Sequence, residues 1–218
     1  MKADPHGGQR VLTAGRKLAE AAGAVVLLHG RGASAEDILG LGRELGNEDL
    51  AFFAPQAAEH SWYPYSFLAP IQQNEPWLTS ALNRLRSIID DISNAGIERA
   101  KIVIAGFSQG ACLATEFVAR NPARYGGLLA FSGGLIGPPG TEFRYAGKLD
   151  GTPAFFGGVD PDAHVPWQRV QESAAVLAAL SAEVIVKRYP GMPHAINQAE
   201  LEQARNLISR IYAGKEVV

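Results

Sequence analysis

Apolar residues along this chain fall into two alternating kinds of run. Ala24-Val25-Val26-Leu27-Leu28, Leu50 to Ala54, Ile102-Val103-Ile104-Ala105, Leu128-Leu129-Ala130-Phe131 and Ala154-Phe155-Phe156 are short and unbroken, as strands buried on both faces should be. Val184 to Tyr189 reads as a further strand. Between them the period changes to that of a helix. Ser34 is an N-cap candidate followed by two acids, opening a helix to about Leu45. Leu78, Leu82, Leu85, Ile88, Ile89 and Ile92 recur at helical spacing from about Pro76 to Asn94, with Gly96 as the stop. Gly110 to Ala119, Trp167 to Leu180 and Gln198 to Tyr212 read as the remaining helices. Val11 to Ala22 fits neither period, and Gln56 to Asn74 reads as a polar and aromatic loop. Gly137-Pro138-Pro139-Gly140 is a breaker inside one domain.

Strands alternating with helices through short loops predict an α/β fold with a mainly parallel central sheet and helices on both faces. A single domain over residues 1–218 is expected, with residues 1–22 its least defined part. In such a sheet, function sits beyond the carboxyl ends of the strands. The candidate polar residues cluster there: His29, Arg31, Ser108, Asp160, Asp162 and His194 all follow predicted strands.

Composition narrows the function classes. The 218 residues are 47% hydrophobic, enough for a sizeable single core. Net charge is −2, which leaves no bias toward nucleic acid or an anionic membrane surface. The single cysteine, Cys112, excludes an intramolecular disulfide and gives no thiolate metal cluster. The N-terminus lacks the apolar segment of a secretory signal, and no run is long enough to span a bilayer. A cytoplasmic protein without stable membrane insertion is expected, and small neutral substrates are allowed by the charge without being selected by it. No histidine pair has metal-ligand spacing, so neither a metal nor an organic cofactor is expected.

Gly106-Phe107-Ser108-Gln109-Gly110 matches G-x-S-x-G between a predicted strand and a predicted helix, the context in which the motif presents a nucleophilic serine. A serine hydroxyl is a weak nucleophile at neutral pH and needs a base, which in turn needs an orienting acid. The histidines sort by position. His6 lies in an expected mobile tail, His60 in the aromatic loop, and His29 precedes the serine. Of His164 and His194, which follow it, His194 stands in the loop between the last strand and the last helix and is the candidate base. Two carboxylates, Asp160 and Asp162, share one loop after a strand, and position alone does not choose between them.

His29-Gly30-Arg31-Gly32, the Ser108 motif, the segment Asp162-Ala163-His164-Val165-Pro166 and the late His194 together resemble the phospholipase/carboxylesterase family of α/β hydrolases, which includes the acyl-protein thioesterases. The resemblance runs from about Val25 to the last helix. It implies the α/β-hydrolase fold, a Ser108-His194-Asp162 triad, and an oxyanion hole made by the backbone N–H groups of Arg31 and Gln109. The family carries its acid three residues before a Val-Pro or Ile-Pro pair, which selects Asp162. Arg31 and Ala33, and Ala111 after the motif, depart from the thioesterase branch, so the resemblance points to a bacterial-type carboxylesterase.

The implied activity is hydrolysis of short- to medium-chain carboxylic esters, with lysophospholipase or acyl-protein thioesterase action as the alternative. A ligand-binding receptor on a hydrolase fold is the non-enzyme alternative, and a nucleotide-binding protein a weaker one. A homodimer stays open. Trp62, Tyr63 and Phe67 in Ser61-Trp62-Tyr63-Pro64-Tyr65-Ser66-Phe67-Leu68 are expected to wall the substrate pocket, with Gly133 to Pro139 opposite. Cys112, Trp77 and Trp167 are expected to be packing residues, and His29 to hold its turn through a backbone hydrogen bond.

Overall fold

A computed structural model describes residues 4–212. Its centre is one seven-stranded sheet in the order β1-β3-β2-β4-β5-β6-β7. The strands are β1 (Val11–Gly15), β2 (Gly23–Leu28), β3 (Leu50–Pro55), β4 (Ile102–Phe107), β5 (Gly127–Phe131), β6 (Pro153–Asp160) and β7 (Glu183–Pro190). All neighbouring pairs are parallel except β1 with β3. Among the described residues four α-helices connect strands, α1 (Ala35–Leu45), α2 (Trp77–Asn94), α3 (Gln109–Arg120) and α4 (Trp167–Ala179), and α5 (Gln198–Tyr212) follows β7.

The unbroken apolar runs have a direct cause. Successive side chains of a strand point to opposite faces, and here both faces are covered. Ala24, Val26 and Leu28 of β2 join the core under α2, α3 and α4, whereas Val25 and Leu27 join the core under α1 and α5. Ile102 and Ile104 against Val103 and Ala105 divide the same way on β4. The segment without a clear period, Val11 to Ala22, holds an antiparallel edge strand, Val11–Gly15, with no fully buried side chain, and a short 3-10 turn, Leu18–Glu20, which is why it carries no strong pattern.

The helix ends are fixed locally. Ser34 Oγ accepts the Asp37 N–H at 3.2 Å while Asp37 Oδ2 accepts the Ser34 N–H at 2.8 Å, a capping box that starts α1. Gly46 ends it in the left-handed conformation at φ 67°. His6 departs from expectation. Its segment is docked, not mobile: the backbone N–H donates to Ser80 Oγ at 2.9 Å and the ring is wholly buried. Ring Nδ1 accepts the Ala58 N–H at 3.1 Å, which leaves Nε2–H to donate to the Trp62 carbonyl at 3.0 Å. Burial lowers its pKa, keeping the ring neutral.

At the start of α5, Asn197 Oδ1 accepts the Glu200 N–H at 3.0 Å and Glu200 Oε2 accepts the Asn197 N–H at 3.0 Å. Glu200 is fully buried against Gly157, and among the described residues its Oε1 has no hydrogen-bond partner. Burial pushes its pKa up to about 7, against the Asn197 N–H, which pulls it down. The folded protein therefore keeps a proton that the unfolded chain releases, so stability from this group is full below the unfolded value of 4.5 and falls as pH rises through 7. The loss is on the order of 3 kcal/mol. Glu200→Gln keeps an acceptor for Asn197 and removes the ionisation. Its melting temperature relative to wild type should climb between pH 5 and pH 8, by several degrees in a domain of this size. A constant difference across that range, measured by calorimetry, would refute the assignment.

Candidate active site

β4 delivers Ser108 to the carboxyl edge of the sheet, and α3 starts at the next residue. Ser108 sits at φ 54° and ψ −118°, a left-handed backbone that costs a non-glycine residue about 1–3 kcal/mol. The surroundings hold it there. Its N–H donates to the Phe131 carbonyl at 2.9 Å and its carbonyl accepts the Cys112 N–H at 3.0 Å. The motif glycines are required by space: a Cβ on Gly106 would lie 2.5 Å from the Gly110 carbonyl, and one on Gly110 would lie 2.2 Å from the Leu28 carbonyl oxygen. The serine Oγ is thus lifted clear of the sheet at a helix N-terminus, where negative charge is favoured.

His194 reaches the serine from the β7–α5 loop. Its Nε2 lies 2.9 Å from Ser108 Oγ and its Nδ1 2.7 Å from Asp162 Oδ2. An ionised carboxylate accepts only, so Nδ1 carries the proton and Nε2 is left to accept from the serine hydroxyl. Asp162 is almost completely buried, and its Oδ1 accepts the His164 N–H at 2.7 Å and the Val165 N–H at 3.0 Å. Burial alone would raise its pKa; the His164 N–H, the His194 ring and the Val165 N–H outweigh it, and the net shift is downward. Asp160 points elsewhere, in an ion pair with Arg188. The structure thus brings Ser108, His194 and Asp162 together and leaves Asp160 out.

The turn after β2 faces the same point. His29 is buried, its Nδ1–H donates to the Gly30 carbonyl at 2.8 Å, and its Nε2 accepts the Ala57 N–H at 3.0 Å. Burial lowers its pKa, and the neutral ring serves as a brace for the turn. Among the described residues, the N–H groups of Arg31 and Gln109 have no protein acceptor. For Gln109 that follows from its place in the first turn of α3. Cys112 is fully buried, its thiol pushed up to about 12 by burial, and it packs as an inert side chain.

A cleft of about 640 Å³ opens over Ser108. Tyr63, Pro64, Tyr65 and Phe67 line one side, and Phe107, His164, Val165 and His194 another. Tyr63 and Phe67 border this cleft, although Tyr63 is itself fully buried. Trp62 does not border it: it is turned inward with its indole N–H on the His29 carbonyl at 2.8 Å, and its ring stacks obliquely on His29 and His6. It anchors the wall from behind, because an indole with a buried carbonyl to meet loses less by facing inward. Gly133 to Pro139 lies behind the cleft as well, with the Gly137 N–H on the Phe67 carbonyl and Arg169 holding the Leu135 and Gly137 carbonyls.

Sequence reasoning missed two side chains. Gln109 Oε1 accepts the Trp62 N–H at 3.0 Å and its Nε2 donates to the Tyr63 carbonyl at 2.8 Å, tying the aromatic loop to the residue beside the nucleophile. Arg31 donates to the Pro64 carbonyl at 2.8 Å, the Tyr65 carbonyl at 2.6 Å and Ser61 Oγ at 2.9 Å. Long-range contacts to backbone carbonyls leave no trace in residue spacing.

The sheet, its order and the residues gathered at its carboxyl edge are those of an α/β hydrolase. The chain belongs to the phospholipase/carboxylesterase family, whose model matches residues 11–212. It is 45% identical to a phospholipase/carboxylesterase of known structure from Dyadobacter fermentans, covering 92% of this chain and 96% of that one, with a TM-score of 0.89. Acyl-protein thioesterase 1 of Saccharomyces cerevisiae is 30% identical over a stretch covering 60% of this chain and 59% of that protein. Lysophospholipase-like protein 1 of Mus musculus is 23% identical over 84% of each chain. The chain spans less than two thirds of the length of the fungal thioesterases it matches.

Proposed function

We propose that the protein is a serine carboxylesterase that hydrolyses short- to medium-chain carboxylic esters through an acyl-enzyme on Ser108. The observation that carries this reading is the continuous hydrogen-bonded series Asp162–His194–Ser108 at the floor of an open cleft. His194 Nε2 takes the Ser108 proton as Oγ attacks the ester carbonyl, forming the C–O bond and placing negative charge on the carbonyl oxygen. The Arg31 and Gln109 N–H groups receive that charge. The intermediate collapses, the alcohol leaves with the proton from His194, and water repeats the sequence on the acyl-enzyme with His194 again as base. Asp162, ionised and held by two backbone N–H groups, keeps the imidazole in the required tautomer throughout.

The cleft volume lies within the range of sites for modest ligands. A second depression of about 390 Å³, lined by Ile38, Leu41, Ile196 and Leu201, lies across Phe107 and His194 from the first. The two flank the reacting pair and suit the two halves of an ester. Among the described residues no helix is long and apolar enough to cross a membrane. The test is hydrolysis of p-nitrophenyl esters from acetate to palmitate. kcat/KM should peak at short to medium chains; a peak at palmitate would replace this reading with the thioesterase or lysophospholipase one, and no turnover of any ester would end both.

A further inference from the structure

The Arg31 guanidinium is held on the wall of the cleft, because every group it bonds or covers there belongs to that wall or its base. Its acceptors are the Pro64 and Tyr65 carbonyls and Ser61 Oγ, and its carbon lies 5.9 Å from the centre of the Tyr63 ring. None of these is anionic. Among the described residues no carboxylate lies within ion-pair distance of Arg31, although nine other arginine–carboxylate pairs are formed. A guanidinium has five N–H donors. Three are engaged, so one on Nη2 and the one on Nε have no protein acceptor among the described residues.

The cleft shares this imbalance. Among the described residues no aspartate or glutamate lines it, and the Asp162 carboxylate is shielded behind His194 with its side chain 1% exposed. The floor is the N-terminus of α3, which adds positive potential at Ser108. An ester cleft whose apolar lining includes Phe67, Phe107 and Val165 gains nothing for a purely apolar substrate from a fixed, uncompensated cation. A substrate that carries its own negative group does gain, since Arg pairs with carboxylate through parallel N–H donors.

We propose that Arg31 is a specificity-determining residue that selects esters bearing a carboxylate in the same molecule, its guanidinium binding that carboxylate while Ser108 attacks the ester carbonyl. The proposal rests on the serine esterase reading above and names its substrate class. The Arg31 backbone N–H serves the oxyanion, and the side chain serves the remote end of the substrate. That contact is made alike in the ground and transition states, so it raises kcat/KM by lowering KM.

The probes are monoethyl succinate, glutarate and adipate, each compared with the ethyl ester in which a methyl group replaces the carboxylate. Acetoxyacetate against ethyl acetate places the carboxylate on the alcohol side. Hydrolysis is followed in a pH-stat at pH 7.5. At least one acid should exceed its neutral partner in kcat/KM by tenfold or more, equivalent to about 1.4 kcal/mol. That ratio should fall as salt is raised from 20 to 500 mM, as an exposed ion pair requires. Arg31→Gln should abolish the ratio by raising KM for the acid, while Arg31→Lys, which keeps the charge and loses the fork, should retain part of it. A side chain that only staples the loop would lower both members of a pair together in both variants. If the wild type hydrolyses the neutral esters but prefers no acid, the proposal is overturned and the esterase reading stands. If it hydrolyses none of these esters, acid or neutral, both fall. Should a variant fold poorly, the wild-type ratio and its salt dependence decide the matter alone.

Discussion

Ser108→Ala should reduce kcat/KM for a p-nitrophenyl ester by about four to six orders of magnitude, the range lost when the nucleophile of a triad is removed. What remains would be the contribution of the oxyanion hole and of binding. The change is small in the folded state. The hydroxyl makes no helix cap bond, and its partner His194 keeps its bond to Asp162. Melting temperature should therefore move little, which separates loss of chemistry from loss of fold. A fluorophosphonate should add its mass to the wild type at Ser108 and leave the variant unlabelled. Retention of more than about one hundredth of the activity by the folded variant would remove Ser108 from the mechanism.

Strands buried on both faces declare themselves as continuous apolar runs, and for that reason β2 to β6 are legible along the chain within a few residues. β1 is not, because an edge strand with exposed and half-buried side chains obeys no strict alternation. Ser108 is legible for a related reason: a strained turn with two glycines that cannot bear a Cβ imposes identity at fixed spacing. The inward turn of Trp62 and the burial of His6 are of another kind. Each depends on which distant carbonyl or amide is left wanting a partner: the His29 carbonyl for Trp62, the Ala58 N–H for His6. A local pattern holds no record of such needs. The same holds for the side chains of Arg31 and Gln109, whose backbone N–H groups alone are singled out by resemblance.

The choice between Asp160, which ends β6, and Asp162, in the loop beyond it, sets up the second large effect. Asp162→Asn should cost about four orders of magnitude in kcat, and Asp160→Asn no more than about a factor of two. The asymmetry follows from the hydrogen bonds. Asp162 Oδ1 accepts two backbone N–H groups, from His164 and Val165, so an asparagine there keeps its oxygen toward them and turns its NH2 toward His194 Nδ1. Nδ1 must then accept, the imidazole proton moves to Nε2, and Nε2–H faces Ser108 Oγ as a donor. A base in that tautomer cannot take the serine proton. Hydroxide can take the serine proton in place of the mis-protonated ring, so the residual activity of the variant should rise with pH well above neutrality. Asp160, by contrast, pairs with an exposed Arg188 and touches neither the ring nor the loop amides that hold Asp162. Its loss removes one partly exposed ion pair. Equal loss of kcat in the two folded variants would show that His194 takes its orientation from the loop as a whole and not from Asp162.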